Sequence, residues 1–176
     1  MADTLMLTSF WWALERAATF DPAGILSLMD PGSPYSVPSG PSFVEHIRLE
    51  FHDVVSDSPK DALRVAPSIA HVQCILDFAK RWDGRTRVLV HCTAGVSRSP
   101  AAAIAILSAR NPGQEREIAR LLRIRAPWVN PNLRIIRLAD DLLGRRGALI
   151  RAVVGMGQPS MHGLTEPVLL PGFLTR

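Results

Sequence analysis

Nine consecutive residues, His91-Cys92-Thr93-Ala94-Gly95-Val96-Ser97-Arg98-Ser99, set a soft nucleophile and a planar cation with five residues between them. They follow the apolar run Val88-Leu89-Val90 and precede Pro100 and an alanine-rich stretch from Ala101 to Leu107. This pattern predicts a buried strand, a short loop and a helix. Backbone N–H groups of such a loop converge at the helix N-terminus, where the helix dipole favours negative charge. Gly95 supplies the positive φ or close backbone approach that a tight curl needs. Arg98 offers a fork for two oxygens of a tetrahedral anion. The same field favours the Cys92 thiolate, the nucleophilic form of a thiol whose ordinary pKa is about 8.5. One small loop can therefore bind an oxyanion and hold a nucleophile beneath it.

The rest of the chain must position that loop. With 176 residues, 47% of them hydrophobic, it is long enough for one globular domain with a sizeable core. We read residues 1–155 as that domain and 156–176 as a loose tail rich in glycine and proline. The net charge is +4, almost all of it from arginine, since Lys60 and Lys80 are the only lysines. The arginines are scattered, apart from short clusters at Arg120/Arg123/Arg125 and Arg145/Arg146. No run has the density of a nucleic-acid-binding arm, so no nucleic-acid partner is expected. A basic surface attracts anionic substrates. Two cysteines make no disulfide framework. A working thiolate needs a reducing compartment, which points to the cytoplasm. The uncharged stretch Thr4–Leu14 is too short to span a bilayer and lacks a basic start.

Leu5–Leu7 reads as a strand, Trp11–Phe20 as a helix and Ile25–Met29 as a buried strand. Asp30–Pro41 holds four prolines and two glycines and reads as a loop. Phe43–Phe51 partly alternates and reads as a strand. Pro67–Trp82 is helical, with one apolar stripe at Ile69, Val72, Leu76 and Ala79 and a second at Ile75, Phe78 and Trp82. Cys74 falls in the middle of that helix and reads as core packing. Gln114–Arg125 is an arginine-rich amphipathic helix, and Leu133–Gly155 a helix or broken pair. Alternating strands and helices predict an α/β fold, a mostly parallel central sheet of about four to five strands flanked by helices.

The run His-Cys-x-x-Gly-x-Ser-Arg-Ser resembles the signature of the cysteine-dependent protein tyrosine phosphatases, closest to the dual-specificity branch and its small bacterial relatives. Rhodaneses and arsenate reductases also bind oxyanions on a cysteine loop, but they fit the flanking residues less well. The resemblance covers roughly Leu5 to Leu143 and implies a tyrosine-phosphatase-like fold. It also implies hydrolysis of phosphomonoesters through a cysteinyl-phosphate intermediate, without metal or other cofactor. In that scheme Cys92 attacks phosphorus, while Arg98 and the backbone of Thr93, Ala94, Gly95, Val96 and Ser97 hold the phosphate. The same site would take free phosphate, sulfate or vanadate. Ser99 would hydrogen-bond the leaving thiolate; its alternative is to cap the next helix. His91 would orient the loop, or is simply a buried histidine.

The family's general acid is an aspartate just past a strand upstream of the cysteine. Asp53, in Phe51-His52-Asp53, fits that arrangement. Asp57 and Asp61 lie closer to the usual spacing, and Asp57 is the main alternative; His52 ranks below them. Asn132, in Asn130-Pro131-Asn132, resembles a Pro-Asn pair that braces the family's active site, or caps the helix that follows. The expected substrate is a phosphotyrosine-bearing protein or peptide, with dual specificity open. A phosphoinositide or other small-phosphate enzyme, and a phosphate-binding module without catalysis, are the alternatives. The neutral loop residues disfavour the first, and the presence of both Cys92 and Arg98 disfavours the second.

Overall fold

The computed structural model describes residues 3–37, 40–56, 58–160 and 166–174. The chain runs β1 (Asp3–Ser9), α1 (Phe10–Phe20), β2 (Gly24–Met29), β3 (Glu45–Glu50), α2 (Ile69–Arg81), β4 (Val88–Cys92), α3 (Arg98–Arg110), α4 (Glu115–Arg125), α5 (Leu133–Leu142), α6 (Ala148–Val154) and β5 (Val168–Pro171). Among these described elements, the five strands form one sheet in the order β3-β2-β4-β1-β5. The first four strands in that order are mutually parallel, and β5 pairs antiparallel with β1.

The central strands β2 and β4 are buried along their whole length, as expected where both sheet faces are covered. Strand alternation divides their side chains. Met6, Ile25, Met29 and Leu89 pack under α1 against Phe10, Ala13 and Ala17. Leu5, Leu7, Leu26, Leu28, Val88 and Val90 face the larger core built with the other helices. On β4 this alternation sends Cys92 toward the larger core and His91 toward α1. Helix α3 is buried from Arg98 to Ser108. Its alanines keep it thin enough to lie between the sheet and α2, α4 and α5.

Several sequence expectations need correction. Ile69 is 62% exposed and Cys74 is exposed, so the solvent face of α2 takes in both and Cys74 does not pack in the core. The region 133–155, read as a helix or a broken pair, is the pair, broken at Gly144 and Gly147, both with positive φ. Part of the segment read as a loose tail joins the sheet as β5. Gly172 N–H donates to Thr4 Oγ1 at 3.1 Å, and Asn111 binds Gly172 O at 3.0 Å and Leu174 N at 2.9 Å. The Arg125 guanidinium also reaches both Asp3 and the Leu169 carbonyl. Four residues make a weak strand signal, but these anchors fix them as an edge.

Candidate active site

Cys92 is the last residue of β4, with Ser9 beside it on β1 and Leu28 on β2. It therefore lies at the carboxyl edge of the parallel sheet, where ligands of such sheets bind. From there the chain curls through Thr93–Ser97 into α3. Gly95 has φ +73°, and a Cβ there would lie 2.8 Å from Ser9 N and 2.9 Å from Thr8 C. Those are backbone atoms of β1 that cannot swing aside, so the curl requires glycine.

Neighbouring amides hold the outer side of the loop. Phe10 N–H donates to Thr93 O at 3.3 Å, Asn130 N–H to Val96 O at 2.8 Å and Asn132 N–H to Ser97 O at 3.1 Å. With these carbonyls turned outward, the amides of Ala94, Val96 and Ser97 have no acceptor among the described residues. They form a nest of donors suited to an anion. The buried Cys92 sulfur accepts from Gly95 N–H and from Ser99 Oγ, each at 3.2 Å. Two donors therefore converge on one sulfur.

Arg98 is 5% exposed and is gripped from three directions. Its Nη1 donates to Asp30 Oδ1 at 2.8 Å and to Phe51 O at 2.7 Å, and its Nη2 to Thr93 Oγ1 at 3.1 Å. The Nε is buried without an acceptor among the described residues. An unpaired buried donor costs about 1–3 kcal/mol, more when charged. An oxyanion seated in the loop removes that penalty.

Ser99 lies inside the first turn of α3, whose flanking residue is Ser97, so Ser99 does not cap the helix. Its hydroxyl points to Cys92 and, at 3.4 Å, to Thr8 O. Asn132 uses both ends of its side-chain amide. Its Oδ1 accepts from Arg134 N and Ile135 N as the cap of α5, while its Nδ2 donates to Asp53 Oδ1 at 2.6 Å and to Val54 O.

Asp53 is exposed, and its Oδ1 also accepts from Ser97 Oγ at 2.8 Å. The carboxylate is thus tied directly to the cysteine loop. Buried Phe51 places it: Phe51 N–H continues the ladder to Met29 O, and the ring stacks on His71. His52 is engaged elsewhere, bridging to Val65 through its own N–H and its Nδ1. Asp61 pairs with Arg64 at 3.0 Å. Asp57 lies outside the described residues.

Three residues of this region were not singled out from the sequence. Asp30 follows β2 at the same sheet edge; an acidic residue directly after a parallel strand is the signal that points to it. Ser27 interrupts the apolar run of β2. Its partners are His91 Nε2 at 2.5 Å and His46 Nε2 at 2.7 Å. The parallel register sets Ser27 beside His91, and the pleat sends both toward α1. Burial pushes the His91 pKa down to about 4, so its ring is neutral near pH 7. Burial also lowers the pKa of His46.

The dual specificity phosphatase catalytic domain model matches residues 39–138, from ahead of β3 into α5, and takes in the cysteine loop and Asp53. The chain belongs to this family. It is a cysteine-dependent phosphatase, and β1, α1 and β2 complete its site from outside the matched span. Its fold is similar to the Yvh1 phosphatase domain from Chaetomium thermophilum, at 22% identity over 85% of this chain and 95% of that one, with TM-score 0.60. It is also similar to human DUSP28, at 17% identity over 84% and 96% of the two chains, with TM-score 0.58. The phosphatase further resembles PTPMT1, solved in complex with PI(5)P, at 17% identity over 86% and 96%, with TM-score 0.57. At these identities the likeness is one of fold. No curated protein matches the sequence significantly. Among the described residues no helix is long and apolar enough to cross a membrane.

Proposed function

We propose that this phosphatase hydrolyses phosphotyrosine in proteins through a cysteinyl-phosphate intermediate, and that it works in the reducing cytoplasm. The Cys92 thiolate attacks phosphorus in line and forms an S–P bond as the P–O bond to the tyrosine breaks. Asp53 gives its proton to the departing phenolate oxygen. A water then attacks phosphorus, the Asp53 carboxylate takes the water's proton, and the S–P bond breaks to return the thiolate. Ser99 and Gly95 N–H stabilise that leaving sulfur. Arg98 and the loop amides hold the equatorial oxygens throughout, so the loop itself supplies the positive charge that phosphoryl transfer requires. The observation that carries this reading is the buried, unspent Nε–H of Arg98 in the loop that begins at the Cys92 sulfur.

Support for an aryl substrate comes from the loop margin. Phe10, bonded to the loop through its amide, forms a three-ring cluster with the exposed Trp11 and Tyr35. Exposed rings of this kind suit the flat side chain of phosphotyrosine. The neutral Thr93, Ala94, Val96 and Ser97 suit a single phosphate. The alternative substrate, a phosphoinositide, draws on the fold shared with PTPMT1.

The test is initial rates on matched phosphotyrosine, phosphoserine and phosphothreonine peptides and on phosphoinositide vesicles, at about 0.15 M salt to screen nonspecific attraction. Phosphotyrosine should be fastest. A phosphoinositide preference on the order of tenfold or more, about 1.4 kcal/mol, overturns the assignment. Cys92→Ser should abolish turnover while inorganic phosphate still raises Tm by mass action; residual turnover above background overturns the covalent route.

A further inference from the structure

A groove of about 850 Å³ lies between α4 and α6, lined by residues that the reaction does not use. One wall is a single line down α4. Arg116, Arg120 and Ile124 follow one another at i, i+4 and i+8, so all three project from one face. The opposite wall is α6, where Ala148 and Ala152, with Gly155 just beyond, leave room between the helices, and Arg151 adds a third cation. Met156 closes the apolar end beside Ile124, which is 66% exposed.

The charge balance of this groove is one-sided. Arg116 and Arg120 have no carboxylate partner among the described residues. Glu115, the carboxylate in the lining, is buried and already bound to Arg145 Nε at 3.1 Å and to Gly113 N. Like charges one helical turn apart repel, and an anion set between them removes that repulsion.

We propose that this groove docks an amphipathic acidic helix of a partner protein. Two of its carboxylates, one turn apart, meet Arg116 and Arg120, and an apolar side chain a turn further on seats against Ile124 and Met156. The match is the helix-in-groove mode, with anchors at the spacing that α4 itself displays. A nucleic acid fits less well, because the described residues that line the groove include no aromatic side chain for bases to stack on. A bilayer fits less well because the cations line a concavity between two helices, which a flat surface does not enter.

Arg123 ties the groove to the catalytic end. It donates to the carbonyls of Pro127 and Val129, in the segment whose Asn130 and Asn132 amides hold the cysteine loop. The docking site is nonetheless separate from the chemistry, so binding and turnover are measured independently.

The experiment uses the full chain and a fluorescein-labelled helical peptide of about fourteen residues, long enough for nearly four turns. The peptide carries glutamates at i and i+4 and a leucine one turn later, and anisotropy is read at about 0.15 M salt. Saturable binding is expected. Arg116→Gln combined with Arg120→Gln should weaken it on the order of tenfold or more, as should Ile124→Asp. Each variant should keep the native kcat/KM on an aryl phosphate, which verifies its fold. A peptide with its glutamates changed to glutamine should lose binding to the native protein to a similar degree. Equal peptide affinity in the native and double-glutamine proteins overturns the proposal. Absence of saturation at about 1 mM peptide, the weak limit for a specific contact, also overturns it. Tighter binding of a single-stranded RNA oligonucleotide or of phosphatidylserine vesicles, lost in the same variants, reassigns the groove and overturns the acidic-helix occupant.

Discussion

The two arms of the active site are built in opposite ways. The nucleophile arm, Cys92 to Ser99, is contiguous in sequence and mostly enclosed. Cys92, Arg98 and Ser99 are buried, Gly95 abuts the β1 backbone, and Arg98 is clamped by Asp30 and Phe51. The acid arm is one exposed aspartate, held through a single carboxylate oxygen by Ser97 and Asn132, with Val55 and Ser56 exposed beyond it. The oxyanion cradle is therefore preorganised before substrate arrives, and rigidity there contributes to both binding and rate. The Asp53 arm is held by two hydrogen bonds, and in the proposed reaction it should contribute to rate alone.

Arg98→Lys breaks the rigid arm and carries the largest expected effect. Lysine keeps the charge but cannot hold Asp30, Phe51 O and an oxyanion through one planar group. We expect kcat/KM to fall on the order of 10³-fold, together with loss of the Tm increase that phosphate gives the native protein. An intact phosphate response in this variant would put the anion elsewhere.

Asp53→Asn breaks the other arm. Here kcat should fall on the order of 10²-fold for poor leaving groups, with phosphate binding unchanged. Asp61→Asn, which removes only the surface pair with Arg64, should be close to neutral. A large loss at Asp61 with none at Asp53 would reverse the assignment of the acid.

Asn132→Asp sharpens the comparison further. The new carboxylate still caps α5, yet it sets a like charge against Asp53. The alkaline limb of the kcat profile should move to higher pH while phosphate affinity changes little. An unshifted limb would separate Asp53 from the rate-determining proton.

The smallest effect concerns stability and the enclosed side of β4. His91 is neutral when folded, with a pKa of about 4 against 6.5 for the free side chain. The unfolded chain therefore binds more protons between those values, and stability falls as pH drops from about 6.5 toward 4. The loss attributable to His91 is at most about 3 kcal/mol. Depressed pKa values at His46 and His71 act in the same direction. His91→Asn should flatten the slope of denaturation free energy against pH in that window; an unchanged slope would show that His91 adds nothing to it.

The same contrast explains what was legible in the sequence. The cysteine loop is contiguous, and its glycine and arginine have few other uses, so residue order alone points to the chemistry. Asp53 was singled out by its place just after a strand, and the structure brings it to Ser97 of the cysteine loop. Asp57 and Asp61 compete with it in the sequence because the segment after β3 is irregular, and no periodicity there says which aspartate faces the loop. Ser27, His46 and Asp30 escaped notice because their roles depend on strand register, which brings residues 64 and 68 positions away to His91 and Arg98. Ser99 offered a cap as its alternative role because serine before proline is a common helix start; α3 begins two residues earlier than that cap would require, which leaves the hydroxyl for the sulfur. Cys74 misled because α2 carries apolar residues around much of its circumference, Ile69 on the wet side included.

The unsatisfied Nε of Arg98 also bears on how the enzyme behaves in a cell. In the proposed reaction inorganic phosphate is released at the loop that the next substrate must enter, and the buried Nε donor of Arg98 is one of the groups that would hold it. Free phosphate should therefore compete with substrate, raising KM while leaving kcat unchanged.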